Sequence, residues 1–291
     1  MMASGVWSTH SSTPLEACWG IQDREGVQMK DALQEIGYRG ETPCDYHENG
    51  LECHFELHIE QGPILEKESK SVSVVTSVQS MKWFSIRVGG IEGHSGTTPM
   101  PARADALVTA SRLITAVRDC ALNTELGVAI VGVISSDTSS QATIPAGVKF
   151  IIDVRCSTDD MVEQHAAHIF TAFDSTIASE NNGTSYHIER SWGLPEFIFH
   201  PHCIEAVRAS AFSQIGEDQV MEMKSRAGHD SAWTSRVCPT GMIFVPSKDG
   251  ISHKPHEYTS PEHCALGAQV LLDAVLHYDT KVKTAGFEVS V

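Results

Sequence analysis

Apolar and polar positions recur with two different periods along this chain, and the pattern changes near residues 79 and 190. Between these points it predicts strand, helix, strand, strand, helix, strand. That order is typical of a small antiparallel sheet with two helices on one face. We therefore expect a ferredoxin-like α+β domain over residues 79–190. Its predicted strands cover residues 83–88, 127–135, 148–155 and 185–190, and its helices begin near Pro101 and Asp159.

The flanking segments, residues 1–78 and 191–291, have a pattern typical of a larger α/β domain. Short runs with a period of two, or wholly apolar runs bounded by turn residues, predict its strands. Stripes that repeat every three to four residues predict its helices. The fold class expected for the chain is therefore α/β, interrupted by the α+β domain. The predicted strands are 53–60 and 241–246, and the predicted helices are 27–36, 201–215 and one beginning at Ser260.

Composition narrows the possible partners. Lys and Arg number 21 against 37 Asp and Glu, which gives a net charge of 21 − 37 = −16. Such an acidic surface repels a phosphate backbone, so we expect no nucleic-acid partner. Apolar runs are too short for a bilayer and the start lacks the features of a secretory signal, so no membrane partner is expected. The eight cysteines include no CxxC pair, which indicates reduced thiols in a cytoplasmic protein.

Two histidines follow predicted strands. His58 lies on the polar side of its strand, between Glu56 and Glu60, and a sharp turn begins at Gln61. His253 lies in the polar loop after the buried strand 241–246. Ligands gather at the carboxyl ends of strands in α/β sheets, so each histidine is a candidate metal ligand with carboxylates near enough to orient it. An exposed strand face and an ordinary turn remain the alternatives.

Three other positions have weaker signals. His94 lies in a glycine-containing loop where Thr97 or Thr98 could cap a helix, and it could donate to a developing oxyanion. Arg155 ends a strand and could bind a carboxylate with two hydrogen bonds, or form a surface ion pair. His229 precedes Asp230 in a polar loop, as a catalytic pair or as the start of a helix.

Three segments together resemble one family. They are residues 57–66 (LHIEQGPILE), 93–100 (GHSGTTPM) and 242–247 (MIFVPS) followed by 249–253 (DGISH). The sequence resembles the amidase, hydantoinase/carbamoylase family, which includes N-carbamoyl-L-amino-acid hydrolases, allantoate amidohydrolases and yeast-type β-ureidopropionases of the aminoacylase–carboxypeptidase superfamily. The resemblance implies a catalytic α/β domain formed by residues 1–78 and 191–291, and a dimerisation domain over 79–190. It also implies a homodimer.

The resemblance further implies hydrolysis of a linear C–N bond in an N-carbamoyl-L-amino acid or a related ureido acid. The family uses two divalent metal ions per subunit, Zn, Mn, Co or Ni, which polarise the carbonyl and lower the pKa of water. Site residues carry over by motif. His58 and His253 match ligands of the two metals, His94 matches a histidine that assists the neighbouring subunit's transition state, Gln61 and Arg155 match substrate-binding positions, and His229 falls in a loop lining the active site.

Two departures qualify this hypothesis. Ala142 stands where the family has an asparagine that binds the substrate carboxylate, before Thr143, Ile144 and Pro145. Family members also carry an upstream HxD segment, a bridging aspartate and a Glu-Glu pair, and residues 1–50 contain none of these. We therefore expect this chain to supply only part of the metal site and to have little hydrolase activity alone. The alternative is a truncated, non-catalytic homologue that dimerises or binds a carboxylate.

Overall fold

Residues 2–8, 18–23 and 25–285 are described by a computed structural model, and they divide into two units. One unit comprises Met1–Val78 and Phe197–Val291, and the other is the insert Gln79–Glu196. The first break lies where the sequence pattern changes. The second lies after Glu196 rather than Arg190, because the last strand of the insert continues to Leu194. The roles assigned to the two units, catalysis and dimerisation, stay predictions.

Strands and helices are labelled in chain order. The strands are β1 (His54–Ile59), β2 (Val72–Val78), β3 (Ser80–Gly89), β4 (Gly93–His94), β5 (Gly127–Ser136), β6 (Thr143–Ile144), β7 (Gly147–Cys156), β8 (Ser185–Leu194), β9 (Phe197–Ile198), β10 (Val220–Ser225) and β11 (Thr240–Val245). The α-helices are α1 (Met2–Trp7), α2 (Met29–Glu35), α3 (Ile64–Lys67), α4 (Ala106–Leu122), α5 (Asp159–Glu180), α6 (Pro201–Ile215), α7 (Ser231–Thr234) and α8 (Pro261–Ala285). Short 3₁₀ helices cover Met100–Ala102, Glu217–Gln219 and Lys248–Gly250.

The insert has the predicted α+β architecture. Its four-stranded sheet has the order β5-β7-β3-β8, and every neighbouring pair is antiparallel. Alternate side chains of the central strands, such as Ile86 and Phe150, pack against Leu113 of α4 and Phe173 of α5. These four side chains are fully buried, so both helices cover one face of the sheet. The predicted fold class is confirmed.

The start of α4 differs from the prediction of a helix from Pro101, capped by Thr97 or Thr98. The helix begins at Ala106, and Asp105 is its N-cap. The Asp105 carboxylate accepts hydrogen bonds from the backbone N–H groups of Leu107 and Val108, at 3.0 and 3.2 Å. An aspartate in this position satisfies two of the helix's unpaired donors, which the threonines are too far along the chain to do.

The discontinuous unit is built on a mixed sheet with the order β1-β11-β2-β10, and β9 also pairs with β2. β1 and β11 are parallel, as are β2 and β10, whereas β11 and β2 are antiparallel. Phe55 and Leu57 of β1 pack into the core formed with α6 and α8. Because side chains alternate along a strand, His54, Glu56 and His58 lie on the opposite face of the sheet.

Three strands of this sheet, β2, β9 and β10, were not predicted. β2 is buried on both faces, with Val72, Val74 and Val75 fully inaccessible to solvent, so it has little alternation of apolar and polar residues. β10 mixes apolar and charged side chains in only six residues. Among the described residues, no helix has the length and apolar composition that crossing a bilayer requires.

Candidate active site

β1 positions the first candidate ligand. His58 pairs with Phe244 of β11 and is partly buried near the carboxyl ends of these two parallel strands. The Nδ1 atom of His58 lies 2.8 Å from the carbonyl oxygen of Ile59. A carbonyl oxygen only accepts hydrogen bonds, so Nδ1 must carry a proton, and in the neutral ring Nε2 then carries the lone pair. His58 is therefore held in the tautomer that can bind a metal ion through Nε2.

A second histidine meets His58. The ring of His229 is 4.6 Å from that of His58 between centroids, and His229 is only 3% exposed. Its Nδ1 atom lies 3.9 Å from Oε1 of Glu56, and its Nε2 atom lies 2.7 Å from Oγ of Ser225. Burial, with a smaller contribution from His58, lowers the pKa of His229 to about 3, although Asp230 acts in the opposite direction. At neutral pH the ring is therefore uncharged.

The two carboxylates that flank His58 in sequence have different roles. Oε2 of Glu56 accepts hydrogen bonds from the backbone N–H and the hydroxyl of Ser231, at 2.9 and 2.5 Å, which leaves Oε1 near His229. Glu60 instead accepts from the backbone N–H groups of Ile64 and Leu65, at 2.8 and 2.7 Å. The expectation that both carboxylates assist His58 is thus corrected for Glu60, which caps α3.

Glu56, His58 and His229 together form the group of possible metal ligands found in the described residues. Their donor atoms all lie within 4.8 Å of one another. Alternation along β1 could have paired Glu56 with His58 from sequence, since both are on one face. The family resemblance places His229 in a loop that lines the active site, but no sequence signal places it against Glu56 and His58, because it comes from the loop after β10. Two imidazoles and one carboxylate are a donor set that suits divalent zinc and neighbouring transition metals.

The loops after β1 and β11 meet beside this group. Gln61 and His253 contribute to the lining of one cavity with His58 and Glu257. The Nε2 amide of Gln61 donates to Nε2 of His253 at 3.2 Å. Gln61 and His253 have left-handed backbones, with φ of 59° and 57°. Non-glycine residues are strained in this region, and such strain is concentrated at functional sites.

Close backbone packing fixes the two loops against each other. The backbone N–H of Gln61 donates to Oγ of Ser247 at 3.0 Å, and that of Asp249 donates to Glu66 at 2.8 Å. Gly250 has φ of +66°, and a Cβ atom there would lie 2.7 Å from the nitrogen of Pro63. A glycine is required at this contact because any larger residue would push the loops apart.

His94 belongs to the insert, at the end of the two-residue strand β4. Its exposed ring accepts hydrogen bonds at Nδ1 from the backbone N–H groups of Gly96 and Thr97, at 3.0 and 3.2 Å. The neutral ring must therefore carry its proton on Nε2, which is the reverse of His58. The backbone N–H of Ser95 donates to the carbonyl oxygen of Ala142 at 2.8 Å, so the residue that replaces the family asparagine adjoins this loop.

Arg155, also in the insert, holds a carboxylate of the protein itself. Its Nε atom donates to Asp153 at 3.0 Å and its Nη2 atom donates to the same carboxylate at 2.6 Å. The structure thus brings together four of the predicted site residues, His58, His229, Gln61 and His253, within one unit. His94 and Arg155 lie in the other.

The sequence and fold were compared with known proteins. A family model for peptidase family M20/M25/M40 matches residues 24–277. An N-carbamoyl-L-amino-acid amidohydrolase of Rhizobium meliloti is 34% identical over 278 residues, which cover 95% of this chain and 65% of that protein. An allantoate amidohydrolase of Bacillus subtilis is 31% identical, over 87% of this chain and 60% of the relative.

Solved structures agree with these relatives. The crystal structure of an amidase of the hydantoinase/carbamoylase family from Burkholderia vietnamiensis has a TM-score of 0.83 and 37% sequence identity. The likeness covers 95% of this chain and 65% of that one. The chain therefore spans 60–65% of the length of the relatives compared. Because the family model matches most of the sequence, from residue 24 to residue 277, the chain belongs to peptidase family M20/M25/M40.

Proposed function

We propose that the protein is a metal-dependent hydrolase of linear C–N bonds in N-carbamoyl-L-amino acids or related ureido acids. The observation that carries the proposal is the grouping of Glu56, His58 and His229 beside the cavity that Gln61 and His253 help to line. Relatives named for the hydrolysis of carbamoyl amino acids and of allantoate support this substrate class. They favour an enzyme over a non-catalytic carboxylate-binding remnant.

The cofactor of this proposal is a divalent metal ion; complete family members hold two per subunit, and this chain supplies only part of that site. A bound divalent ion supplies Lewis acidity, which polarises the substrate carbonyl and lowers the pKa of water. His58 offers a lone pair at Nε2, because Ile59 holds the proton on Nδ1. The Nε2 atom of His253 can also bind a metal ion, if the hydrogen bond that it accepts from Gln61 is broken. The Gln61 amide so released is free to donate to the substrate.

His94 is proposed to stabilise the oxyanion that develops when water attacks the carbonyl. The two backbone N–H groups at its Nδ1 keep the donor hydrogen on Nε2, which is the arrangement that an oxyanion needs. In the family hypothesis this donor serves the neighbouring subunit, so the protein is proposed to be a homodimer. Because the N–H donor of His94 is already oriented, it needs no reorganisation during the reaction, and this is the source of its catalytic benefit.

Arg155 is proposed to bind the substrate carboxylate. Its guanidinium already forms a fork with Asp153, so a substrate carboxylate must share the guanidinium with Asp153 or displace it. Ala142 offers no side-chain donor in place of the family asparagine. Losing a hydrogen bond to a charged group typically costs about 1.5–3 kcal/mol, so we expect a higher KM than in relatives with the asparagine.

The proposed location is the cytoplasm. All eight cysteines are free thiols, including the exposed Cys44 and Cys264. Free surface thiols are typical of reducing compartments, where structural disulfides are rare.

Hydrolysis by metal-loaded protein tests the proposal. The protein is freed of metal, supplied with Zn²⁺, Mn²⁺ or Co²⁺, and incubated with N-carbamoyl-L-amino acids and allantoate while ammonia release is followed. We expect slow turnover that requires metal, because this chain supplies only part of the family's metal site, and a further fall of at least about 100-fold in His58→Asn and His94→Asn. His202→Asn, an exposed histidine on α6, is the matched control. Metal-dependent binding of the carboxylate substrates without any turnover would favour the non-catalytic alternative.

A further inference from the structure

We propose that Glu56, His58 and His229 form a metal site of their own, which holds one Zn²⁺ or Co²⁺ ion without any contribution from His253. The inference starts from the metal dependence of the proposed function and goes beyond it in naming the number of ions and two further ligands. It changes the role of His229 from lining the substrate cavity to binding metal. Glu56 and His229 are the ligands that the motif comparison does not supply.

The hydrogen bonds around His229 place the lone pair of its ring on Nδ1, the atom that faces Glu56. The hydroxyl of Ser225 donates to the carbonyl oxygen of Ala227 at 3.1 Å and accepts from the backbone N–H of Ala227. With its own hydrogen so used, the Ser225 oxygen accepts from Nε2–H of His229 at 2.7 Å. The lone pair of His229 is then on Nδ1, which faces Oε1 of Glu56 at 3.9 Å.

Glu56 supplies charge from a fixed position. Two hydrogen bonds from Ser231 hold Oε2, so Oε1 is the oxygen left for a metal ion. The side chains of His229 and Glu56 are 2% and 17% exposed, so water competes weakly for the ion. One carboxylate leaves a divalent ion with a net charge of about +1, and a partly buried carboxylate gains a favourable partner when a cation binds.

The geometry needs only a small adjustment. The donor atoms lie within 4.8 Å of one another. Bonds of about 2.0–2.2 Å in a tetrahedral zinc site place ligand atoms about 3.3 Å apart, so side chains must close by about 1.5 Å at most. Two histidines, one glutamate and an open fourth position are the arrangement of catalytic rather than structural zinc sites.

His253 is unnecessary for this site. Its Nε2 atom already accepts a hydrogen bond from Gln61, and its ring is exposed. Glu56, His58 and His229 instead share one face of the sheet and the loop that covers it. The three ligands therefore do not depend on the conformation of the loop after β11.

Titration of the metal-free chain with Co²⁺ tests the proposal, with visible absorption reporting the coordination of the ion. We expect one tightly bound ion per chain. Even outer partners of a ligand contribute about 10- to 100-fold to affinity, so Glu56→Gln and His229→Asn should each weaken binding at least about 100-fold. Glu56→Gln keeps an oxygen that accepts from Ser231, so this variant is designed to retain the fold.

Two controls separate this site from others. His253→Asn should leave the affinity for the single ion unchanged, as should His202→Asn on the surface of α6. Equal weakening by His253→Asn and His229→Asn, or parent-like binding by Glu56→Gln, would overturn the proposal. Circular dichroism identifies any variant that fails to fold, and the X-ray absorption of the zinc-loaded parent then decides by counting imidazole ligands. Two are expected, and one would contradict the site.

These measurements are independent of hydrolysis. Protein that binds one ion through the three residues but shows no turnover supports this site and contradicts the proposed function. If the protein hydrolyses N-carbamoyl-L-amino acids while Glu56→Gln binds Co²⁺ like the parent, the proposed function is supported and the three-residue site is contradicted.

Discussion

At the scale of single residues, hydrogen bonds set the tautomer of each histidine and so decide what it can bind. A carbonyl oxygen keeps a proton on Nδ1 of His58, whereas two backbone N–H groups keep the proton of His94 on Nε2. The first is ready to accept a cation and the second is ready to donate to an anion. Residue type alone assigns neither role, since both are histidines on polar loops or strand faces.

His165 has a different environment and predicts a pH dependence of stability. It is fully buried in the insert, its Nδ1 atom lies 3.8 Å from Sγ of Cys156, and its Nε2 atom has no hydrogen-bond partner among the described residues. Burial lowers its pKa below 6.5, and His168 adds to this effect. The unfolded chain therefore takes up a proton first as pH falls below 6.5, which destabilises the folded insert.

Replacing His165 by Leu should remove this dependence. We expect equal or greater stability at pH 7.5, because a buried polar atom without a partner is lost. The free energy of unfolding of the parent should fall relative to that of the variant by up to about 1.4 kcal/mol per pH unit below 6.5. Urea unfolding at pH 7.5 and 5.5 measures both quantities. His168→Leu, at an exposed position of the same helix, is the control and should retain most of the parent's dependence, because the burial of His165, the larger cause, is unchanged.

At the scale of elements, one glycine joins the two loops of the candidate site. A Cβ atom at Gly250 would lie 2.7 Å from the nitrogen of Pro63 and 2.9 Å from the carbonyl carbon of Gly62. Both are backbone atoms, so neither can rotate away. The loops after β1 and β11 can therefore approach closely only while this residue lacks a side chain.

Gly250→Ala should accordingly lower the free energy of unfolding by more than the left-handed backbone conformation alone explains. Gly37→Ala is the matched control, because Gly37 has φ of +72° and no atom within 4 Å of an added Cβ. The control should lose about 1–2 kcal/mol, the usual cost of a left-handed conformation. Gly250→Ala should lose about 1–3 kcal/mol more, through the forced separation of the loops. Similar losses in guanidinium unfolding of both variants would show that the contact is not tight.

Elements with their own boundary signals could be predicted from the sequence. Helix α6 was expected at residues 201–215, with Gly216 positioned to end it, and its bounds agree. Pro201 at its first position is consistent with a helix start. Strand β2 was missed because burial on both faces removes the alternation that marks a strand. Helix α3 has four residues, and its first two N–H groups depend on the side chain of Glu60. Such a helix is a product of local contacts rather than of periodicity.

The candidate site was predictable to a similar extent. Motif context selected His58 and His253, and the structure describes both beside one cavity. The contact of His58 with His229 was not foreseen, since it depends on how the loop after β10 folds over the sheet. For Arg155 an ion pair was one of the two alternatives expected, and the structure shows one with Asp153. The partner was not predicted, although residues two apart on a strand share a face.

At the scale of the whole molecule, each unit has a core of its own. The core of the insert is built around Phe150 and Phe173, and that of the other unit around Val74 and Ile243. Units with separate cores unfold as separate cooperative transitions. A single melting temperature does not describe such a chain, so the effects of His165→Leu and Gly250→Ala are expected in different transitions.

The edge of the insert predicts how the proposed homodimer forms. β5 is at the end of the sheet order and exposes Ile130 by 62%, with Val128, Val133 and Ile134 also more than half exposed. A long apolar edge strand is a template for pairing with another chain. Ile130→Lys should therefore shift the protein towards monomers in sedimentation velocity, with Kd raised at least about tenfold.

Ile36→Lys provides the matched comparison. Ile36 is 63% exposed and lies in the discontinuous unit, at the end of α2. A charge there should leave the oligomeric state of the parent unchanged. Dissociation by Ile36→Lys, or a parent protein that stays monomeric at high concentration, would contradict a dimer formed through β5.

The pairing of β2 with β9 has a consequence for engineering the chain. Val78 and Phe197, the residues on either side of the insert, are direct antiparallel partners. In topological terms the insert is therefore a very long hairpin loop, whose two ends are already at hairpin spacing. A two-residue turn such as Asn-Gly fits between antiparallel partners without moving either strand. Residues 79–196 could be excised or exchanged for another domain in this way, without changing the order or the pairing of the strands in the sheet.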